Sequence, residues 1–183
     1  MTHLIAILTL VIASWTFAPE DVGPNDKNAI LWESDSKLEW NDFKGMPDPN
    51  SEFVALTRWK IGYNFEYRNG LGHLDVYANF IKNKSWVKAK SRKDNILAHE
   101  QLHFDIAELH ARKLRKTWSL YIINFRTLQK DVDRMFNRAY DQAVDMQKKY
   151  DKETDHGIIP KKQAAWEKFV AEEMTKLEEY QRK

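Results

Sequence analysis

The sequence predicts an α+β fold in which an antiparallel β-hairpin packs on a helix and two long amphipathic helices follow. Apolar or β-branched residues occupy alternate positions in residues 53–65 and again in residues 74–80, the period of strands with one buried face. Between these runs, Asn69 and Gly70 tolerate positive φ angles and predict the turn of the hairpin. Residues 91–156 contain neither Gly nor Pro, which favours long helices.

Three helices are predicted after the hairpin. Ser91, with Asp94 three residues later, is typical of the N-cap of the first helix, and the apolar residues 118–125 are predicted to contain the turn that follows it. Gly157 and Pro160 are predicted to end the second helix. The second helix carries an apolar stripe at spacings of three and four, formed by Leu128, Val132, Met135, Ala139, Ala143, Met146 and Tyr150. The third helix presents Trp166, Phe169, Val170, Leu177 and Tyr180.

Composition indicates one globular domain, residues 19–183. The chain has 183 residues, of which 43% are hydrophobic, enough for a sizeable core. Its formal net charge of +2 is small, so no nucleic-acid partner is expected. Cysteine is absent, which excludes disulfides, thiolate metal sites and a cysteine nucleophile. Any metal must therefore be held by histidines and carboxylates.

The N-terminal segment predicts export. Residues 4–13 are apolar except for Thr9, a run too short to span a bilayer but typical of a secretory signal peptide. We expect a signal peptide at residues 1–18, with cleavage after Ala18 or, as a rival, after Ser14. The alternative is a buried strand or an uncleaved anchor. The mature protein is expected to be secreted or periplasmic, with no membrane span left after cleavage.

The segment His99-Glu100-Gln101-Leu102-His103 is the strongest indication of chemistry. On a helix, residues four apart are separated by about 400° of rotation and about 6 Å of rise, so both imidazoles lie on one face and can share one metal ion. Glu100 is about 100° round the helix, within reach of a metal-bound water without being a ligand. This spacing is typical of zinc hydrolases.

A catalytic zinc ion usually has three protein ligands and one water, so a third ligand is needed. On the same helix, Glu108 points about 180° away from His99, and His110 lies about 10 Å along the axis from His103. We therefore reject both and expect His110 to be a surface or hydrogen-bonded histidine. Asp105 and Glu108 are expected to be solvated carboxylates or, alternatively, acceptors for the imidazole N–H groups.

We choose His156 as the third ligand. It lies at the end of the second helix, which should run antiparallel to the first and return to the metal. Gly157 permits a tight turn that would face the His156 ring inward. The alternative for His156 is an exposed residue that caps the helix. Three carboxylates on the same segment are the other ligand candidates: Asp151, Glu153 and Asp155.

Further motifs follow one another along most of the chain. They are residues 38–45, 84–87, 97–106, Ala111-Arg112, Tyr150-Asp151, Glu153-Thr154, His156-Gly157, Gln163 and Trp166-Glu167. Together they resemble a bacterial family of unknown function, over roughly residues 30–170, whose members are described as predicted secreted zinc-dependent proteases. The resemblance implies a secreted, zincin-like protein with a peptide or protein substrate.

The predicted mechanism uses one Zn²⁺ ion held by His99, His103 and His156. Zinc lowers the pKa of a bound water, Glu100 acts as general base, and the hydroxide attacks an amide carbonyl. Glu100 then protonates the leaving amine. Tyr150 is a further candidate for stabilising the oxyanion, and its alternative is a core aromatic that closes the helix stripe.

Two other functional classes stay open. A non-catalytic envelope or interaction protein would keep zinc as a structural staple, with Asp151 or Glu153 in place of water. A nucleic-acid-binding protein would bind phosphates with basic residues and stack a base on Trp86, but a solvated face or a rim for acidic substrates is the preferred interpretation. The basic residues are Lys82, Lys84, Lys88, Lys90, Arg92 and Lys93.

Overall fold

A computed structural model of the protein describes residues 23–35, 37–69 and 71–183. The expected signal peptide, residues 1–18, lies outside them. The described residues form an α+β fold, as the sequence predicts. Their strands are Ala29–Leu31 (β1), Ala55–Leu56 (β2), Trp59–Arg68 (β3), Leu71–Ile81 (β4) and Trp86–Val87 (β5), and their α-helices are Asp94–Ser119 (α1), Leu128–Thr154 (α2) and Pro160–Thr175 (α3).

The predicted hairpin forms from β3 and β4. The two strands pair antiparallel, with Arg68 opposite Leu71 at the closed end. Asn69 takes the left-handed conformation of the turn, with φ 53°. The short strand β1 pairs antiparallel with the other edge of β4, so the sheet has the order β1-β4-β3. Its buried face packs on α1.

The single strand expected over residues 53–65 is wrong, because the chain leaves the sheet at Thr57 and Arg58. The backbone N–H of Arg58 donates to Ser85 Oγ at 2.9 Å, and the Thr57 hydroxyl donates to the carbonyl of Glu100 at 3.2 Å. The Thr57 hydroxyl and the Arg58 N–H thus bond outside a β-ladder, whereas the Arg58 carbonyl still accepts from the N–H of Ile81 at 2.7 Å. The segment before the break, β2, pairs with β5 in a separate two-stranded sheet and lies beside α1.

The helix that carries the two histidines begins at Asp94, with Lys93 as its N-cap. The expected cap at Ser91 is wrong, because Ser91 lies in a separate 3₁₀ turn. α1 then continues to Ser119. Its face toward the sheet is part of the main core and includes Phe104, Ala107, Ala111 and Leu114.

α2 runs antiparallel to α1, because its last turns contact the first turns of α1. The stripe predicted for α2 is confirmed, since it buries Val132, Ala139, Ala143 and Tyr150. α3 then begins with Pro160 in its first turn. Within the described ranges, no helix combines the length and hydrophobicity needed to cross a bilayer.

The third helix is shorter than expected. α3 ends at Thr175, and Tyr180 lies beyond it in a 3₁₀ turn. Trp166 and Val170 are buried as predicted, whereas Phe169 is 41% exposed. The aromatic proposed for base stacking, Trp86, is buried on β5. The basic segment, residues 82–93, therefore exposes no aromatic ring on which a base could stack.

Candidate metal centre

The two histidines of α1 meet one carboxylate from the end of α2. His99 Nε2 lies 3.2 Å from His103 Nε2. Asp151 Oδ1 lies 3.1 Å from His99 Nε2 and 3.0 Å from His103 Nε2. The four-residue spacing on α1 places both rings on one face, and the antiparallel course of α2 returns Asp151 to them. The three ligand-type atoms therefore form a small triangle.

Two glutamine amides fix the protonation of both rings. Gln147 Nε2 donates to the carbonyl of His103 at 2.8 Å, so Gln147 Oε1 accepts from His103 Nδ1–H. Gln163 Nε2 donates to Glu167 Oε1 at 2.9 Å, so Gln163 Oε1 accepts from His99 Nδ1–H at 3.3 Å. Each imidazole thus carries its proton on Nδ1 and presents the lone pair of Nε2 to the cluster.

The electrostatics of the triangle favour a positive charge among its members. Three electron-rich atoms this close repel one another unless a cation or a proton lies between them. Burial opposes protonation of His103, but its hydrogen bond to Asp151 and the charge of Glu100 outweigh burial and raise the pKa of His103. Burial likewise acts to raise the pKa of Asp151, but the two histidines outweigh it and hold that pKa below its usual range.

The donor set fits zinc. Zinc takes imidazole nitrogen and carboxylate oxygen at about 2.0–2.2 Å, and the corners of a tetrahedron of that size are about 3.3 Å apart. The separations of 3.0, 3.1 and 3.2 Å among the three atoms are close to that edge. His99, His103 and Asp151 are therefore spaced as three zinc ligands.

His156, the predicted third ligand, lies at the edge of this cluster. Its Nδ1 atom is 3.5 Å from Asp151 Oδ1, and its side chain is 46% exposed. The ligand atoms of His99, Asp151 and His156 all lie within 4.8 Å of one another. Asp151, an alternative ligand in the sequence analysis, thus takes the central position, and His156 is placed as a fourth candidate.

A left-handed turn carries His156 to the cluster. Asp155, His156 and Gly157 have φ angles of 50°, 52° and 81°. A Cβ atom on Gly157 would lie 3.0 Å from Cβ and Cγ of His99, so this position requires glycine. Asp155 is exposed at the end of α2. The remaining carboxylate candidate, Glu153, accepts a hydrogen bond from the indole of Trp166 at 2.9 Å.

Glu100 lies on the wall of a cleft of about 600 Å³ that also contains the cluster. Its side chain is buried, with 4% of the residue exposed. Among the described residues, its Oε2 atom has no hydrogen-bond partner. An unpaired buried carboxylate oxygen costs folding free energy, so Oε2 of Glu100 is a candidate to bind a ligand in the cleft.

The comparisons with known proteins identify a family. A family model described as a bacterial protein of unknown function (DUF922) matches residues 34–157. The chain belongs to this family. No curated protein and no solved structure matches the chain. The part shared with the DUF922 family contains the triangle, Glu100 and His156, and it ends before α3.

Tyr150 supports His99 instead of facing the cleft. Its ring stacks on the imidazole with centroids 4.5 Å apart. Its buried hydroxyl donates to Gln163 Oε1 at 2.8 Å and lies 3.2 Å from the carbonyl of His99. Burial raises the pKa of Tyr150 above its usual range. The oxyanion role predicted for Tyr150 does not fit this geometry, because the hydroxyl is occupied within the core.

The expectations for Asp105 and Glu108 are wrong. Asp105 accepts a hydrogen bond from the indole of Trp32 at 2.8 Å, and burial raises its pKa. Glu108 is 1% exposed and accepts from Arg112 at 3.1 Å and Arg115 at 2.8 Å. Glu108 is buried and Asp105 is half-buried; both carboxylates hold the fold together behind the cleft, and neither is bound to an imidazole.

His110 also differs from its expected state. It is 2% exposed, and neither ring nitrogen has a hydrogen-bond partner among the described residues. Burial and the nearby charge of Lys113 lower the pKa of His110 to about 3. It is therefore a neutral histidine in the interior, and neither a surface residue nor a hydrogen-bonded one.

No sequence pattern predicts a role for Gln147 or Gln163. Gln147 precedes Asp151 by four residues, so both lie on one face of α2. Once Asp151 is chosen as a ligand, this spacing predicts that Gln147 also faces the two histidines. Gln163 is among the motif residues, but no local spacing links it to His99, which lies 64 residues earlier.

Proposed function

We propose that the protein is a zincin-like, zinc-dependent hydrolase of amide bonds in peptides or proteins. The observation that carries the proposal is the triangle of His99, His103 and Asp151, with edges of 3.2, 3.1 and 3.0 Å, beside the buried Glu100. Two nitrogen ligands and one oxygen ligand leave one position of a tetrahedral zinc site for water, as in catalytic sites.

The chain's own residues divide the work. His99, His103 and Asp151 would hold the ion, which when bound would activate water and polarise the substrate carbonyl. Oε2 of Glu100 would accept the proton of the attacking water and return it to the leaving amine. The Thr57 hydroxyl, 3.2 Å from the carbonyl of Glu100, ties this part of α1 to the opposite wall of the cleft.

That opposite wall suits an extended substrate. Residues 52–57 line the cleft, and β2 within them pairs with β5 along one edge. Among the described residues, its other edge has no strand partner. An extended peptide can add to such an edge by backbone hydrogen bonds. Phe53 and Val54, 47% and 40% exposed, offer apolar contacts to its side chains.

Export is part of the proposal. The apolar residues 4–13 support a signal peptide and a secreted or periplasmic location. N-terminal sequencing of the protein recovered from a bacterial host tests this point. A mature N-terminus after Ser14 or Ala18 is expected, and an intact Met1 in the cytoplasmic fraction would contradict it.

Zinc content and hydrolysis, measured on the same preparations, test the activity. We expect one equivalent of zinc in the wild type and in Glu100→Gln, and loss of zinc in Asp151→Ala. Asp145→Ala, an exposed carboxylate on the same helix, is the matched control and should keep its zinc. Hydrolysis of fluorescently labelled casein should require both zinc and Glu100. Wild-type hydrolysis by zinc-loaded Glu100→Gln would contradict the proposal.

The position of His156 favours a second candidate function, a non-catalytic protein with a structural zinc. With His156 as fourth ligand, 3.5 Å from Asp151 Oδ1, the site would be closed to water. His156→Ala distinguishes the two functions. A structural site predicts loss of zinc and no hydrolysis by the wild type, whereas a catalytic site held by the triangle predicts that the variant keeps its zinc.

A further inference from the structure

Exposed apolar side chains gather where the β3–β4 turn meets the α1–α2 connection. We call this surface the apolar tip. Large apolar patches on a protein surface mark sites of interaction with other proteins or membranes. The residues of the tip, with their exposed fractions, are Ile122 at 88%, Leu120 at 74%, Phe125 at 65%, Leu71 at 63% and Tyr67 at 42%.

The two loops of the apolar tip are in contact with each other. The rings of Tyr67 and Phe125 meet edge to face, with centroids 5.2 Å apart. A Cβ atom on Gly72 would lie 2.7 Å from Cδ1 of Ile123, so the connection packs directly on the hairpin. The two loops are therefore in contact, and Leu71, Leu120 and Ile122 are exposed next to these contacts along the chain.

Hydrogen bonds to Asp131, at the start of α2, hold the α1–α2 connection in place. Asp131 accepts hydrogen bonds from the hydroxyls of Tyr121 at 2.8 Å and Thr127 at 2.7 Å. Arg134 donates to the other oxygen of Asp131 at 2.6 Å. The apolar residues between Tyr121 and Thr127 are thus presented to solvent by an ordered loop.

The rim of the tip is basic. Arg126 and Lys130 are exposed on the connection and the first turn of α2. Among the carboxylates of this region, Glu66 pairs with Arg68 at 2.8 Å, Asp131 binds the groups named above, and Asp133 accepts hydrogen bonds from Gln129 at 2.9 Å and Tyr63 at 3.4 Å. An anionic partner would therefore meet the exposed cations Arg126 and Lys130 beside an apolar centre.

We propose that the apolar tip docks on an anionic phospholipid surface. Aliphatic and aromatic side chains at a pair of chain reversals can enter the boundary between headgroups and acyl chains, while basic residues around them bind lipid phosphates. The tip is formed at two chain reversals, and its basic rim disfavours pairing with a second copy of itself. The inference is independent of the proposed hydrolysis.

Docking at the tip limits the distance of the cleft from the lipid. Along α1, Ser119 follows His103 by 16 residues, which is about 24 Å of helix. The triangle would therefore lie up to about 24 Å from the lipid surface, the limit reached when α1 stands upright on it.

A fluorophore placed at the tip tests the inference. The chain contains no cysteine, so Ile122→Cys in the full-length protein accepts one environment-sensitive label. Met46→Cys, at an apolar residue 91% exposed outside the tip, is the matched control. Each labelled protein is titrated with vesicles of phosphatidylcholine alone and with vesicles containing equal parts phosphatidylglycerol.

We expect the label at position 122 to shift to the blue with anionic vesicles, and the label at position 46 not to shift. Adding Arg126→Ala should weaken the apparent affinity about fivefold, and added salt should weaken it further. No shift at position 122 would overturn the inference, as would an equal shift at position 46 or with neutral vesicles. A shift without vesicles that grows with protein concentration would overturn it in favour of self-association.

Discussion

His99 Nδ1 lies 3.3 Å from Oε1 of Gln163, which is 64 residues further along the chain. The same oxygen accepts a hydrogen bond from Tyr150, and the amide nitrogen of Gln163 donates to Glu167. The orientation of a proposed zinc ligand thus depends on α3, which lies beyond the residues matched by the family, 34–157. α3 is therefore part of the site.

Gln163→Ala tests this dependence. Loss of the amide removes the acceptor that fixes the Nδ1 proton of His99, so we expect zinc affinity to fall about 10- to 100-fold. Competition with a chromophoric chelator measures the affinity. Gln142→Ala, an exposed glutamine on α2, should leave it unchanged. Equal affinities for Gln163→Ala and the wild type would show that His99 is oriented without the amide.

Gly157→Ala should destabilise the turn after α2 that packs against His99. The added Cβ would lie 3.0 Å from His99, at a φ of 81° that alanine rarely adopts. We expect the metal-free protein to lose about 2 kcal/mol of unfolding free energy, measured by urea denaturation. Gly23→Ala, whose Cβ would have no heavy atom within 4 Å, should cost much less. Similar losses for both variants would remove the argument for a glycine at this turn.

Glu108→Gln should destabilise the fold without touching the cleft. The change leaves the buried guanidinium of Arg112 and the nearby Arg115 without their shared carboxylate, a loss of about 3 kcal/mol for a broken buried pair. Chemical denaturation of the metal-free protein measures it. Glu172→Gln breaks only an exposed pair with Lys168 and should cost less than about 0.5 kcal/mol. A small loss for Glu108→Gln would mean that water replaces the carboxylate.

His110 gives a prediction for pH. In the folded protein the pKa of His110 is lowered to about 3 from 6.5, so the unfolded chain binds a proton below pH 6.5 that the folded chain refuses. The stability associated with neutral His110 is therefore present above pH 6.5 and lost as pH falls toward 3. By pH 5 the wild type should have lost about 2 kcal/mol from this group.

His110→Leu removes that loss and also removes two unpartnered nitrogens from the interior. Urea denaturation at pH 7.5 and pH 5 should show a smaller decrease for His110→Leu than for the wild type. His73→Leu, at an exposed histidine of β4, should behave like the wild type. Identical pH dependence of all three proteins would show that His110 titrates normally.

Much of the fold can be predicted because it depends on the spacing of residues within single strands, turns and helices. The alternation along β4, the Asn69 turn and the stripe of α2 each depend on neighbours within one element. The break at Thr57 and Arg58 does not, since it depends on partners at Ser85 and Glu100 that only the folded chain brings near. The alternating pattern continued through the break and gave no sign of it.

The candidate site could likewise be predicted only where its residues are close together in the sequence. The spacing of His99, Glu100 and His103 is local, and the structure places all three at one cleft. The choice between Asp151 and His156 depends on how the end of α2 meets α1, which spacing alone leaves open. Glu108 and His110 lie away from the cluster, as their spacing on the helix predicts. Their burial could not be predicted, because it depends on packing against later segments, such as the hydrogen bond from Arg115 to the carbonyl of Tyr180.

The distance along the chain between His99 and Asp151, 52 residues, determines the order in which the centre is assembled. An isolated α1 peptide would hold only the histidine pair, and an unfolded chain would not hold even that in register. The proposed metal site is complete only after α2 has docked back on α1. Loading would therefore follow folding, and an ion bound by the native state alone would stabilise the finished structure.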